Sequence, residues 1–121
     1  MKNNYVKLMA DYSASGVWDA EGVMLELERL PISAPLMAKI HAWASWYGQN
    51  DDYLPAAERS LPAFPFKAFS AMGRELAGSL KAELPEWTVV YFDEYALAEH
   101  QGGRELRTAY EYEILSQDVS R

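Results

Sequence analysis

The sequence predicts an α+β domain in which two helices pack on one face of a mostly antiparallel sheet of about four strands. Apolar residues alternate with a period of two near both ends of the chain, and they recur at helical spacing across its middle. The predicted order is therefore β-β-α-α-β-β, which does not suit a regular βαβ array. The chain of 121 residues, 50% of them hydrophobic, can bury a packed core, and we assign residues 1–121 to a single domain.

The N-terminal part predicts a strand followed by a hairpin. Side chains of residues 5–12 alternate as in a strand with one buried face and one partly wet face. The small residues 13–16 predict a turn. A second turn over 19–22 predicts that residues 23–27 return as a short strand beside residues 17–18.

The middle of the chain predicts two helices joined by a proline-rich loop. Ser33 is suited to cap a first helix from about 34 to 48, because its hydroxyl can accept a hydrogen bond from a free N–H group. The loop over 49–65 is longer than most connections, which makes it either functional or loosely ordered. A second helix is predicted over about 66–84, before Pro85. Its predicted buried face consists of Phe69, Met72, Gly73, Leu76, Leu80 and Leu84, with Lys67, Arg74, Lys81 and Glu83 elsewhere.

The C-terminal part predicts two more strands. Residues 87–92 are rich in β-branched and aromatic side chains and apolar on both faces, which favours a central strand. A Gly-Gly turn at 102–103 precedes an alternating stretch, residues 106–114, that predicts the last strand. We expect the tail, residues 116–121, to be frayed.

Composition excludes several classes of function. The chain contains no cysteine, so disulfides, thiolate metal sites and cysteine nucleophiles are excluded. Its formal charge of −7 argues against nucleic acid as a ligand, because phosphate binding relies on clustered lysines and arginines. The same charge keeps a protein soluble and steers it towards basic partners. With no apolar run near the roughly 18 residues of a membrane span and no apolar signal region, we expect a cytoplasmic protein without membrane contact.

No complete catalytic set can be recognised. His41 lies beside the apolar stripe of the first helix and His100 precedes the Gly-Gly turn, and neither has a second histidine at metal-ligand spacing. The serines lack the setting of a nucleophile elbow. We therefore expect no enzyme, no cofactor and no metal. Carboxylates are numerous, however, and Asp11 and Asp93 end strands that could be neighbours, so an acid–base pair stays open.

Aromatic and acidic residues around the first turn form the candidate binding surface. Tyr12 and Trp18 flank a turn of small polar residues, where large rings are difficult to bury. Exposed aromatic rings beside carboxylates are typical of a protein-binding patch. We expect the partner-binding residues to be Asp11, Tyr12, Trp18, Asp19 and Glu21, with Asp93 and Glu94 as a second acidic rim.

Several segments carry a resemblance to a known group of proteins. They are LMADYS at 8–13, VWD at 17–19, LPIS at 30–33 ahead of a helix with Trp43, GRELA at 73–77 and LPEWTVVYFD at 84–93. In patches over about residues 5–93, the chain resembles small bacterial proteins of the toxin-immunity type, including the immunity partners of contact-dependent inhibition systems. No site residues are carried over from that group.

The resemblance implies a non-enzymatic protein that binds and occludes a cognate toxin domain, and the charge of −7 would suit a basic nuclease as that toxin. The residues themselves leave two alternatives open. One is a small ligand-binding domain or enzyme that uses a carboxylate pair with His41 or His100. The other is a homo-oligomeric scaffold whose exposed aromatic rings bury each other.

Overall fold

The computed structural model describes residues 4–51, 53–59, 63–99 and 109–118. This part of the chain forms four strands and three helices, with short 3-10 turns between some of them. In chain order they are β1 (Tyr5–Leu8), β2 (Val17–Trp18), α1 (Ala34–Trp46), α2 (Phe66–Glu83), β3 (Thr88–Phe92), α3 (Glu94–Glu99) and β4 (Glu111–Ile114).

The strands form one mixed sheet in the order β2-β1-β3-β4. The pairs β1–β2 and β3–β4 are antiparallel, whereas β1 and β3 run parallel at the centre. The parallel pair follows from the connection, because α1 and α2 together carry the chain back across the sheet before β3 begins. The predicted two-layer α+β class is confirmed, and so is the central position of the strand with two apolar faces.

Both predicted helices are confirmed nearly to the residue. α1 covers Ala34–Trp46 and continues as a 3-10 turn, Tyr47–Gln49. The α-helix therefore ends close to Gly48, the residue that predicts its end. Ser33 caps α1, because its Oγ accepts a hydrogen bond from the Leu36 amide at 3.3 Å.

Some local predictions need correction. The return strand predicted over 23–27 is reduced to one bridge between Trp18 and Met24, because the chain turns into a 3-10 turn at Leu27–Arg29. The short helix α3 was not predicted at all, since six residues are too few to display a helical period. The predicted last strand begins only at Glu111.

Two further predictions concern the end of the chain. Residues 106–108 of the predicted last strand, together with the Gly-Gly turn and residues 119–121 of the tail, lie outside the described residues. The first residues of the tail, Ser116–Asp118, form a 3-10 turn beside α2.

The core lies between the sheet and the pair α1 and α2. Phe69, Gly73, Leu76, Leu80 and Leu84 of the predicted α2 face are buried. Two side chains of α2 do not lie where the sequence predicted them. Met72 was predicted inside and is 47% exposed, and Lys81 was predicted outside and is buried. The Lys81 ammonium donates hydrogen bonds to the carbonyls of Pro85 (3.1 Å) and Trp87 (2.7 Å), which compensates for its burial.

Gly73 marks the closest approach of α2 to its neighbours. A Cβ atom at this position would lie 2.6 Å from a ring carbon of Trp43 and would also meet the Tyr91 hydroxyl. Both large side chains are tied to α2, because the Trp43 indole donates to the Phe69 carbonyl and the Tyr91 hydroxyl donates to the Ser70 carbonyl, each at 2.9 Å. The absence of a side chain at Gly73 therefore sets the spacing of α1, α2 and β3.

We predict that Gly73→Ala destabilises the fold by about 2–3 kcal/mol, because the added methyl group overpacks this contact. Gly78→Ala, in the same helix, is the matched control: nothing lies within 4 Å of its added Cβ, and alanine should stabilise the helix by about 0.5–1 kcal/mol. Urea unfolding followed by circular dichroism measures both free energies. Equal effects of the two substitutions would contradict the packing argument.

Candidate functional site

The parallel pairing of β1 and β3 brings the residues that follow these strands to one end of the sheet. Leu8 pairs with Tyr91, and the chain beyond them leads to Asp11 on one side and to Asp93 and Glu94 on the other. The charges of Asp11 and Asp93 both act on Glu94. The predicted meeting of carboxylates from the two strand ends is therefore present.

Glu94 has the most perturbed carboxyl group in the described part of the chain. Burial, together with the negative charges of Asp11 and Asp93, raises the pKa of Glu94 from 4.5 to about 7. Near neutral pH this carboxyl group is consequently divided between its protonated and ionised forms. A cation placed beside it would favour the ionised form.

Tyr12 and Tyr47 lie near these carboxylates, and Tyr53 adjoins Tyr12. The Tyr12 ring contacts the rings of Tyr47 and Tyr53, with centroids 5.0 and 5.4 Å apart, and its hydroxyl donates to the Asn50 carbonyl at 2.8 Å. Burial, with Glu94 as the next cause, raises the pKa of Tyr47 to about 12. Tyr12 is 39% exposed and Tyr53 is 72% exposed, so both present aromatic surface to a partner.

We call Asp11, Tyr12, Tyr53, Asp93 and Glu94 the tyrosine–carboxylate end. Tyr53 is the member that sequence reasoning missed. It lies in the predicted loop over 49–65, where no periodic pattern singles out a residue, and the unusual length of that loop was the only available signal.

Asp93 serves the fold as well as the local charge. Its Oδ1 accepts a hydrogen bond from the Ala96 amide at 3.0 Å and so caps the start of α3, while its Oδ2 accepts one from the Tyr112 hydroxyl at 3.1 Å. Burial and the Asp93 charge raise the pKa of Tyr112 to about 12, which keeps this hydroxyl a donor. Because Asp93 immediately precedes Glu94, these two hydrogen bonds also restrain the backbone position of Glu94.

Trp18 is half-buried, and its indole is used within the chain. It follows the buried Val17, so it lies on the sheet face away from the core. The indole Nε1 donates to the Met9 carbonyl at 2.8 Å, which joins the β2 side of the hairpin to the segment after β1. The part of the ring that remains accessible is available for contact with a partner.

Asp19 and Glu21 lie at the opposite end of the sheet from Asp11. Because β2 runs antiparallel to β1, the residues after β2 return to the end where β1 begins. Asp19 Oδ1 accepts hydrogen bonds from the amides of Glu21 and Val23, both at 2.9 Å, and so shapes the turn. Asp11, Asp19 and Glu21, which the sequence grouped in one contact set, therefore divide between the two ends of the sheet.

A cleft of about 580 Å³ opens at this second end. We call it the acidic cleft. Its walls combine carboxylates with aromatic and aliphatic side chains, including Asp19, Glu21, Glu26, Tyr5, Leu25 and Trp87. Glu94 and the cleft thus lie at opposite ends of the sheet, and Glu94 is not among the described residues that line the cleft.

His41 is exposed on α1, and His100 lies outside the described residues. Within the described ranges, no group of three histidine, aspartate or glutamate side chains could hold a metal ion. None of the helices in those ranges is long and apolar enough to cross a membrane.

We predict that Glu94→Gln changes how stability depends on pH. The Glu94 carboxyl ionises near pH 4.5 in the unfolded chain and near pH 7 in the folded protein, which favours its protonated form. The contribution of this group to the free energy of unfolding is therefore complete below pH 4.5 and is lost as pH rises through 7. Glutamine should flatten that loss and stabilise the protein by about 1 kcal/mol at pH 8, since water screens a partly exposed carboxylate. Urea unfolding at pH 4, 6 and 8 measures this, with the exposed Glu75→Gln as control. Parallel pH profiles of wild type and Glu94→Gln would contradict it.

Comparison with known proteins completes the description of the site. No curated protein matches the chain. A family model described as "Serratia CdiI immunity protein-like" matches residues 4–94, which include the two long helices α1 and α2, three of the four described strands and every predicted contact residue. The match extends well over half of the chain. This protein therefore belongs to the Serratia CdiI immunity protein-like family.

Proposed function

We propose that this chain is a cytoplasmic, non-enzymatic immunity protein that binds a cognate toxin domain and occludes its active surface. The family match over residues 4–94 is the observation that carries the proposal. An immunity protein of this kind needs no catalytic group; it needs a stable scaffold and a surface complementary to the toxin. The acidic composition, with a net charge of −7, supports a basic toxin such as a nuclease.

The tyrosine–carboxylate end is the proposed main contact. Asp11 and Glu94 supply negative charge, and Tyr12 and Tyr53 supply exposed aromatic surface beside it. Tyrosine is enriched among the residues that dominate binding energy, because its ring buries a large area and its hydroxyl finds a hydrogen-bond partner. Asp93 contributes charge to this contact and Trp18 contributes the accessible edge of its ring.

A direct test uses the toxin domain encoded by the neighbouring upstream gene, inactivated and purified. We expect it to form a stable complex with this chain in a pull-down and in calorimetry. Because charge steers the encounter, the association rate should fall about tenfold or more between 50 and 500 mM NaCl. Absence of a complex at 50 mM NaCl would reject the proposed function.

We predict that Tyr53→Ala raises the Kd for this toxin domain by about tenfold or more, because it removes an exposed aromatic anchor without disturbing the core. Met72→Ala is the matched control, since Met72 is also a large exposed apolar side chain but belongs to α2. Calorimetry measures both Kd values, and thermal unfolding checks that both variants are folded. An unchanged Kd for Tyr53→Ala would remove Tyr53 from the contact.

The homo-oligomeric alternative is tested with the same preparation. If the exposed rings of Tyr12 and Tyr53 bury each other between copies, light scattering should report a dimer or larger assembly that Tyr53→Ala dissociates. A monomer leaves these rings available to the toxin.

A further inference from the structure

The acidic cleft is distant from the proposed main contact and has a different shape. We propose that it receives a basic loop of the cognate toxin, with an arginine side chain inserted between the aromatic wall of Tyr5 and Trp87 and the carboxylates of Asp19 and Glu21. This inference rests on the proposed function and assigns the cleft to the same partner.

The dimensions of the cleft suit an inserted loop. Its volume of about 580 Å³ lies in the range of pockets that bury a whole small ligand, which is more than one side chain fills. Leu25, Leu30 and Trp87 provide apolar surface for the aliphatic stem of the inserted residue. A flat partner surface would leave this apolar lining in contact with water.

The charge of the lining is complementary to a cation. Among the described residues that line the cleft, Asp19, Glu21 and Glu26 face one basic group, Arg29, whose Nε lies 3.3 Å from Glu26 Oε1 in an exposed pair. Within that described lining, Asp19 and Glu21 thus have no basic counterpart. The Asp19 carboxylate is also held in position by the two amides that donate to it, so little side-chain entropy is lost when a cation binds.

The combination of aromatic and acidic walls favours arginine over lysine. A guanidinium group is planar and more weakly hydrated than an ammonium group, so it can stack on an aromatic face while it donates two hydrogen bonds to a carboxylate. Tyr5 and Trp87 are the half-buried aromatic residues of the described lining. An ammonium group carries the same positive charge but has no planar face with which to stack on a ring.

One toxin domain can reach both ends of the sheet. Asp11 lies six residues beyond Tyr5, which corresponds to at most roughly 20 Å even for fully extended chain. A standard interface covers about 800 Å² of each partner and is therefore roughly 30 Å across. Contact at the tyrosine–carboxylate end is compatible with insertion at the cleft in the same complex.

Two variants of the full chain test the insertion, with the inactivated upstream toxin domain as the probe. Glu21→Gln combined with Glu26→Gln removes charge from the cleft and leaves its shape. Ala20→Trp fills the cleft and leaves its charge, because Ala20 is an exposed residue of the lining. Glu28→Gln is the matched control: this exposed carboxylate lies two residues from Glu26 and is not part of the lining.

We expect both cleft variants to raise the Kd about tenfold or more and the control to stay within twofold of wild type, with unchanged thermal unfolding. In the wild-type complex, the indole N–H resonance of Trp87 should shift. If the wild type binds the toxin and Ala20→Trp binds equally well, the insertion is refuted while the proposed function stands. If the wild type itself does not bind, both are refuted.

Discussion

The contact of Trp43, Gly73 and Tyr91 is the constraint on which the rest of this structure depends. Trp43 of α1 stacks on Phe69 of α2 with ring centroids 4.6 Å apart, and Tyr91 of β3 reaches the same helix from the sheet. Only a residue without a side chain fits between them at position 73. The two hydrogen bonds to α2 carbonyls satisfy the polar atoms of both buried rings, so the contact joins α1, α2 and β3 at no cost in unpaired groups.

This contact also determines where the acidic groups lie. With α1 and α2 seated on the sheet, β3 enters beside β1 in the parallel direction, and Asp11 and Glu94 meet at the same end. The resulting repulsion and burial raise the pKa of Glu94, which is unfavourable for the isolated protein at neutral pH. Such a concentration of like charge at one end costs stability, and complementary charge on a partner would relieve it.

The antiparallel pairing of β1 and β2 moves the remaining carboxylates of the contact set away from that end of the sheet. It returns Asp19 and Glu21 to the other end of the sheet, where they line a concave cleft. The described part of the chain therefore presents negative groups at both ends of the sheet. For a member of the Serratia CdiI immunity protein-like family, these two ends would allow a single toxin to be recognised by charge, by ring contact and by insertion.

The sequence by itself determined the α+β class, both long helices, the Ser33 cap and the central strand, because periodicity and capping depend on residues a few positions apart. It left open whether Asp11 and Asp93 end neighbouring strands, which the parallel pairing of β1 and β3 decided. Only the tertiary structure decided that Asp19 lies far from Asp11, that Lys81 is buried and that Tyr53 stands beside Tyr12. Strand direction, register and loop placement follow from contacts between residues distant in sequence, and no local pattern encodes those contacts.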